Sequence, residues 1–193
     1  EFKAAACAFN LAKMPWCGTM SFDSAGRTMM GLTSKDMVSM LEEIPNKPLA
    51  FGANCGVGAS DLLRTVLGFA SLSPELPIIS KGNAGIPKFL DGEIHYDGTP
   101  ELMSEYAILA RDSGAKIIGG CCGTTHEHVK AMSEALKKNK PGSFSKLIEE
   151  EKYNLIELKK IIESLGEMTD GNVAMIRRYL RPNGSEENTG DKR

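Results

Sequence analysis

The sequence has no long apolar run, no excess of either charge and no paired-cysteine framework. No stretch approaches the roughly 18 apolar residues that span a bilayer, so no membrane anchor is expected. Acidic and basic residues number 25 and 23, for a formal net charge of -2. That balance lacks the basic footprint of a nucleic-acid binder or a partner of anionic membranes. The opening "EFKAAACAFNLAKMPW" has no basic start followed by a continuous apolar stretch, so it does not read as a secretory leader. It also lacks an initiator Met and begins in what reads as the middle of a helix, so the chain reads as a fragment. The five cysteines are Cys7, Cys17, Cys55, Cys121 and Cys122. An odd count at irregular spacing argues against a disulfide scaffold. A reducing, cytoplasmic setting is expected, where unpaired cysteines serve packing, metal binding or catalysis.

What is present is ordinary globular composition: 193 residues, 41% of them hydrophobic, enough for a proper core. Phe2 to Lys13 has helical spacing and strong helix formers. "PWCGTMSF" then reads as a strand and "DSAGRTMMG" as a loop. Thr33 or Ser34 can cap the helix "SKDMVSMLEEI". "KPLAFGANCG" is a second strand with its exit loop, and "GASDLLRTVLGFAS" a helix with Ser60 as candidate N-cap. "LPIISKGNAGIP" is a third strand followed by a glycine-rich loop. "TPELMSEYAILARDSGA" is a helix with Thr99 as N-cap, Pro100 at its first position and Gly114 at its stop. "AKIIGGCCG" is the fourth strand and exit, and "THEHVKAMSEALKKNKPG" the last helix of the series.

Four strand–loop–helix units follow one another. Their strands are short continuous apolar runs, which favours parallel strands buried on both faces. They start near Trp16, Leu49, Pro77 and Ala115, about one unit per 33 residues. Eight such units would make a (β/α)8 barrel of about 250 residues; four make half of one. Periodicity alone leaves a four-stranded open sheet as the alternative.

Residues 1–142 form this α/β unit, and 143–193 a separate tail. There Phe144, Ile148, Leu155, Leu158, Ile162 and Leu165 line one stripe of an amphipathic helix. A shorter helix is expected from Val173 to Leu180, then a polar, disordered end. A packing or dimer-contact element is the plain reading of the tail.

In parallel α/β folds, functional groups sit in loops after the C-terminal strand ends. Cys121 and Cys122 fall there, after "AKIIGG". Cys55 falls at the equivalent place one strand-end earlier, after "LAFGAN". Cys7 lies in a helix and Cys17 inside a strand, so neither joins them. Three thiolates with one open position describe a metal site, and soft ligands of this kind favour zinc. Such a site carries net charge -1. It activates water poorly and suits binding a substrate thiol and keeping it as thiolate. Gly119, Gly120 and Gly123 let the backbone bend so that successive cysteines reach one ion. Buried packing of ordinary cysteines is the bland alternative, and a redox-sensing dithiol at Cys121 and Cys122 another. His126 and His128 fit a helix start better than a ligand set. Met29 and Met30 suit an apolar site lining or core gaps.

"GANCG" followed by "IIGGCCGTT" resembles the homocysteine S-methyltransferase family. That family includes the betaine-homocysteine methyltransferases and the homocysteine domain of cobalamin-dependent methionine synthase. "MSFDSAGRTMMG" and "KGNAGIP" are similar to the family's strand-end loops, and the likeness covers residues 1 to about 138. It implies a TIM barrel with zinc held by Cys55, Cys121 and Cys122. Homocysteine would bind through sulfur and take a methyl group by direct displacement, giving methionine. By position, Asn54 would support the ligand loop, and Asn83 and Asp23 would line the mouth. The methyl donor would be betaine or a similar small molecule, or methylcobalamin. The four units look like the last four of eight, since the family's Asp-Gly-rich first strand has no match. An N-terminal barrel half or a second copy of the chain is therefore an expected partner. A zinc-binding module without turnover is the competing function.

Overall fold

The computed structural model describes residues 1–22, 26–56, 58–72 and 75–142. The expected tail at 143–193 lies outside the described residues, as does Asp23. The elements run α1 (Phe2–Ala12), β1 (Cys17–Ser21), α2 (Ser34–Glu43), β2 (Ala50–Cys55), α3 (Ala59–Ala70) and β3 (Ile78–Gly82). Then come β4 (Lys88–Leu90), β5 (Glu93–His95), α4 (Pro100–Asp112), β6 (Ala115–Gly120) and α5 (His126–Lys138).

Local chemistry sets most boundaries. Thr33 accepts from the Asp36 amide, and the Asp36 carboxylate accepts from the Thr33 amide, a reciprocal capping box at the start of α2. Thr99 caps α4 through the Leu102 amide, with Pro100 at the first helical position. Ser60 does not cap α3. The helix starts one residue before it, at Ala59, with the extended Gly58 in the cap position. The expected loop after β3 contains a feature of its own: β4 and β5 pair antiparallel around Asp91-Gly92. Both turn residues have positive φ, 50° and 86°, as a two-residue hairpin turn of the I′ type requires.

Four strands form one parallel sheet in the order β1-β2-β3-β6. The strands that follow the four helical units stay in sequence order, with no reversal. A doubly wound sheet reverses its strand order at a switch point; a barrel adds each strand beside the last. The topology is therefore barrel-like, with β1 and β6 as its two edges. Side chains alternate across the sheet. Phe51, Ala53, Ile78 and Ala115 join the core, where Phe51 and Phe22 each meet the Phe69 ring of α3 edge-on. Under α4, the buried Tyr106 hydroxyl lies 2.6 Å from Ser80 Oγ. The opposite face carries Cys17, Thr19, Ser21, Asn54, Lys81 and Ile117, of which Cys17, Ser21 and Ile117 are exposed. In a closed barrel that face would line the interior. Trp16, held between Phe2 and Phe9, anchors α1 beside the first strand.

Candidate metal centre

The strand ends arrive level with one another. Cys55 pairs with Gly82, and Gly82 with Gly120, so the last residue of β2 and the exit of β6 lie at the same height. β3 stands between them. Cys55 is thus two strand-ends from the cysteine pair in space, not one as the sequence suggested. Gly82 and Gly120 put no side chain into the gap, and the sulfurs meet across it.

The backbone turns sharply where the thiols leave the sheet. Cys55 has φ 56° and Gly56 φ 77°; a left-handed cysteine is uncommon, and such conformations gather at functional sites. After the pair, Gly123 has φ 74°, and a Cβ there would lie 2.3 Å from the Tyr96 ring. Glycine is required on both counts. Gly119 is under no such demand, since a Cβ there would meet only Lys81 at an ordinary 3.7 Å.

Hydrogen bonds fix the loops to each other. The Cys121 amide donates to the Gly82 carbonyl at 2.8 Å, and the Ala84 amide to the Cys122 carbonyl at 3.0 Å. The Asn83 side chain bridges both loops: it accepts from the Cys122 amide and donates to the Gly56 carbonyl, each at 3.1 Å. Asn83 is buried, so the residue expected at the mouth stands between the cysteine loops. Asn54 donates to Ser21 Oγ at 3.1 Å, tying β2 to β1 beside Cys55.

The Cys55 sulfur lies 2.8 Å from that of Cys121 and 3.7 Å from that of Cys122, which is 3.9 Å from Cys121. All three fall within 4.8 Å of one another. Two sulfurs about 2.3 Å from one tetrahedral metal stand roughly 3.8 Å apart. Two of the three separations match that value, and the Cys55–Cys121 pair needs to part by about 1 Å. The group could hold a metal ion. Its electrostatics divide the thiols. Burial raises the Cys55 pKa, but hydrogen bonds from Cys121, Asn54, Cys122 and Ser21 outweigh it and leave it below the usual thiol value. Burial and the neighbouring Cys55 thiolate push Cys121 up to about 11. Without a metal, the Cys55 thiol therefore gives up its proton more readily than the Cys121 thiol beside it.

Cys7 and Cys17 stay apart from the cluster and exposed. His126 is exposed and His128 buried at the start of α5. Met29 and Met30 are both exposed, 91% and 86%, and fill no core gap. Sequence reasoning missed Tyr96, whose ring rests on Gly123 and whose phenol pKa is raised by burial and by the nearby thiols of Cys122, Cys55 and Cys121. Nothing in its local sequence marks it.

Among solved structures, the chain is similar to the homocysteine methyltransferase MmuM from Escherichia coli in its metallated form. That match has 20% identity and a TM-score of 0.54, over 68% of this chain and 40% of the other. The oxidized form of the same enzyme matches at 22% identity and TM-score 0.53, again over 68% and 40%. The apo form gives 20% and 0.54, over 69% and 44%. The chain therefore spans about two fifths of the length of these structures, and the likeness establishes the fold. The sequence model of the homocysteine S-methyltransferases matches residues 1–136, well over half of the chain, and the chain belongs to that family.

Proposed function

We propose that this chain is the metal-carrying half of a homocysteine S-methyltransferase barrel, with zinc on Cys55, Cys121 and Cys122. One observation carries the reading: three thiols from two level strand ends converge with sulfur separations suited to a single ion. The donor set fits zinc, which takes thiolates tetrahedrally and keeps one position open in catalytic sites. Zinc held there would lower the pKa of a substrate thiol and keep it nucleophilic at neutral pH. The chain's own residues do the rest. Cys55, Cys121 and Cys122 would supply the three thiolates. Asn83 and the Cys121–Gly82 bond hold the two loops in register. Asn54, tied to Ser21 beside Cys55, is assigned to support of the ligand loop, Asn83 to the brace behind the substrate mouth, and Asp23, by its place after β1, to the mouth itself.

Homocysteine loses its thiol proton to solvent, its sulfur bonds the methyl carbon, and the donor's bond to that carbon breaks, giving methionine. The remaining strands, which bring contacts for the amino and carboxylate groups, would come from an N-terminal barrel half. The donor is betaine, a sulfonium compound such as S-methylmethionine, or methylcobalamin. A reducing, cytoplasmic setting belongs to this reading, because zinc-binding thiols must stay reduced.

The test is elemental analysis of the purified chain with a free-thiol count before and after chelation. About one zinc per chain, with three thiols released by the chelator, is the expected result. A homocysteine methylation assay with a panel of donors then follows, with the missing half supplied. A folded chain that takes up no zinc overturns the metal assignment. Zinc without methyl transfer in the completed barrel identifies a binding module instead.

A further inference from the structure

Resting on the metal-centre reading, we infer that His128 is a positioning residue for the Cys121–Cys122 turn, acting through a tether to Gly98. The His128 ring is buried, 8% exposed, in the first turn of α5. Its Nδ1 accepts from the Thr125 amide at 3.0 Å, and the Thr125 hydroxyl lies 2.8 Å from the same nitrogen. A ring nitrogen that accepts a backbone N–H carries no proton, so the ring is neutral with its hydrogen on Nε2. That Nε2–H points at the Gly98 carbonyl, 2.8 Å away.

Gly98 is not an incidental acceptor. Its own amide donates to the Ala84 carbonyl at 2.9 Å, and the Ala84 amide donates to the Cys122 carbonyl at 3.0 Å. A Cβ on Gly98 would lie 2.3 Å from the Ala84 carbonyl carbon, an approach open only to glycine. The path runs from Thr125 through His128, Gly98 and Ala84 back to Cys122, and the chain from 122 to 125 closes it into a ring. Every donor and acceptor in the ring is satisfied by one tautomer. The ring also seats the 96–98 segment, so Tyr96 meets Gly123 beside the thiols. Outer partners of this kind set the orientation of metal ligands and are worth 10–100-fold in affinity.

Two substitutions separate the tether from the helix cap. His128→Asn places a carbonyl near the Nδ1 position, keeping the Thr125 bond and losing the reach to Gly98. His128→Gln reaches the Nε2 position with an amide donor, keeping the Gly98 bond and losing the cap. The full chain is titrated with Co2+, read by thiolate-to-cobalt charge-transfer absorption, and amide exchange at Ala84 and Gly98 is measured without metal. His128→Asn is expected to bind Co2+ on the order of tenfold more weakly and to exchange faster at both amides. His128→Gln is expected to stay near wild type in both readouts. Wild-type affinity in His128→Asn, or a tenfold loss in His128→Gln, overturns the inference. If the wild-type chain takes up no Co2+, the metal reading fails, while unchanged exchange in His128→Asn separately overturns the tether.

Discussion

At Cys55 and Cys121 two chemically identical side chains 2.8 Å apart shift in opposite directions: burial and the Cys55 sulfur raise Cys121, while burial of Cys55 is outweighed by hydrogen bonds from Cys121, Asn54, Cys122 and Ser21. The Cys55 thiol is thereby the more acidic of the two. A metal bound there would resolve that asymmetry by taking all three sulfurs as thiolates. Cys55→Ser, Cys121→Ser and Cys122→Ser are each expected to lower zinc affinity beyond the roughly 10–100-fold that losing an outer partner costs, as read by competition with a chromogenic chelator. Beneath the site, burial pushes the Tyr106 phenol above its ordinary value, with the Ser80 hydroxyl against it. The unfolded phenol titrates near 10. Stability tied to this group is therefore complete below about pH 10 and is lost as pH rises toward the higher folded value. Tyr106→Phe should flatten that alkaline loss and cost about 1 kcal/mol at neutral pH for the lost hydrogen bond, measured by urea unfolding at about pH 8 and about pH 10.5. The convergence of the three cysteines was legible because metal chemistry prescribes residue type and strand-end placement. Asn83 and His128 were not legible as braces, because their partners lie 27, 39 and 30 residues away and no local pattern announces them.

Among the elements, helices were easier to read than the connections between them. Thr33 and Thr99 cap where a hydroxyl precedes an apolar-periodic run, and Thr33→Ala should destabilise the protein by about 1 kcal/mol. The α5 terminus depends on a less visible device. Arg111 of α4 donates to the Asn139 and Lys140 carbonyls at 2.7 and 3.0 Å and pairs with Asp112 at 2.8 Å. Asp112 in turn accepts from the Gly142 amide. Arg111 is mostly buried, at 16% side-chain exposure, so Arg111→Ala should cost about 1.5–3 kcal/mol and free the last turn of α5 to exchange. Urea unfolding and amide exchange at 135–139 test it. The β4–β5 hairpin did carry a signal, Asp91-Gly92 between "KFL" and "EIH". At three residues each, its strands are too short to stand out as apolar runs. Ser60 failed as a cap because the extended Gly58 lets α3 begin earlier.

For the molecule as a whole, the fourfold unit and its spacing were plain in the sequence, but the choice between open sheet and barrel required the strand order. Sequence order without reversal, β1-β2-β3-β6, decides it, because connectivity is a property of the packed chain and not of any segment. Among the described residues β1 and β6 have no strand on their outer sides, and such edges recruit other strands. Supplying four further βα units should shift the chain from associating species to a monodisperse one in sedimentation velocity. An unchanged distribution would argue that the edges are already covered. The placement of β3 between the two thiol-bearing ends has a mechanical consequence. An ion on Cys55 and Cys121 would staple strands that do not touch as neighbours and close a loop of 66 residues. Loop-closure entropy for a link of that span is on the order of 4 kcal/mol, comparable with the whole stability of a small domain. The same three sulfurs would then serve as the last rivet of the fold, and chelation would lower its melting temperature before any substrate was involved.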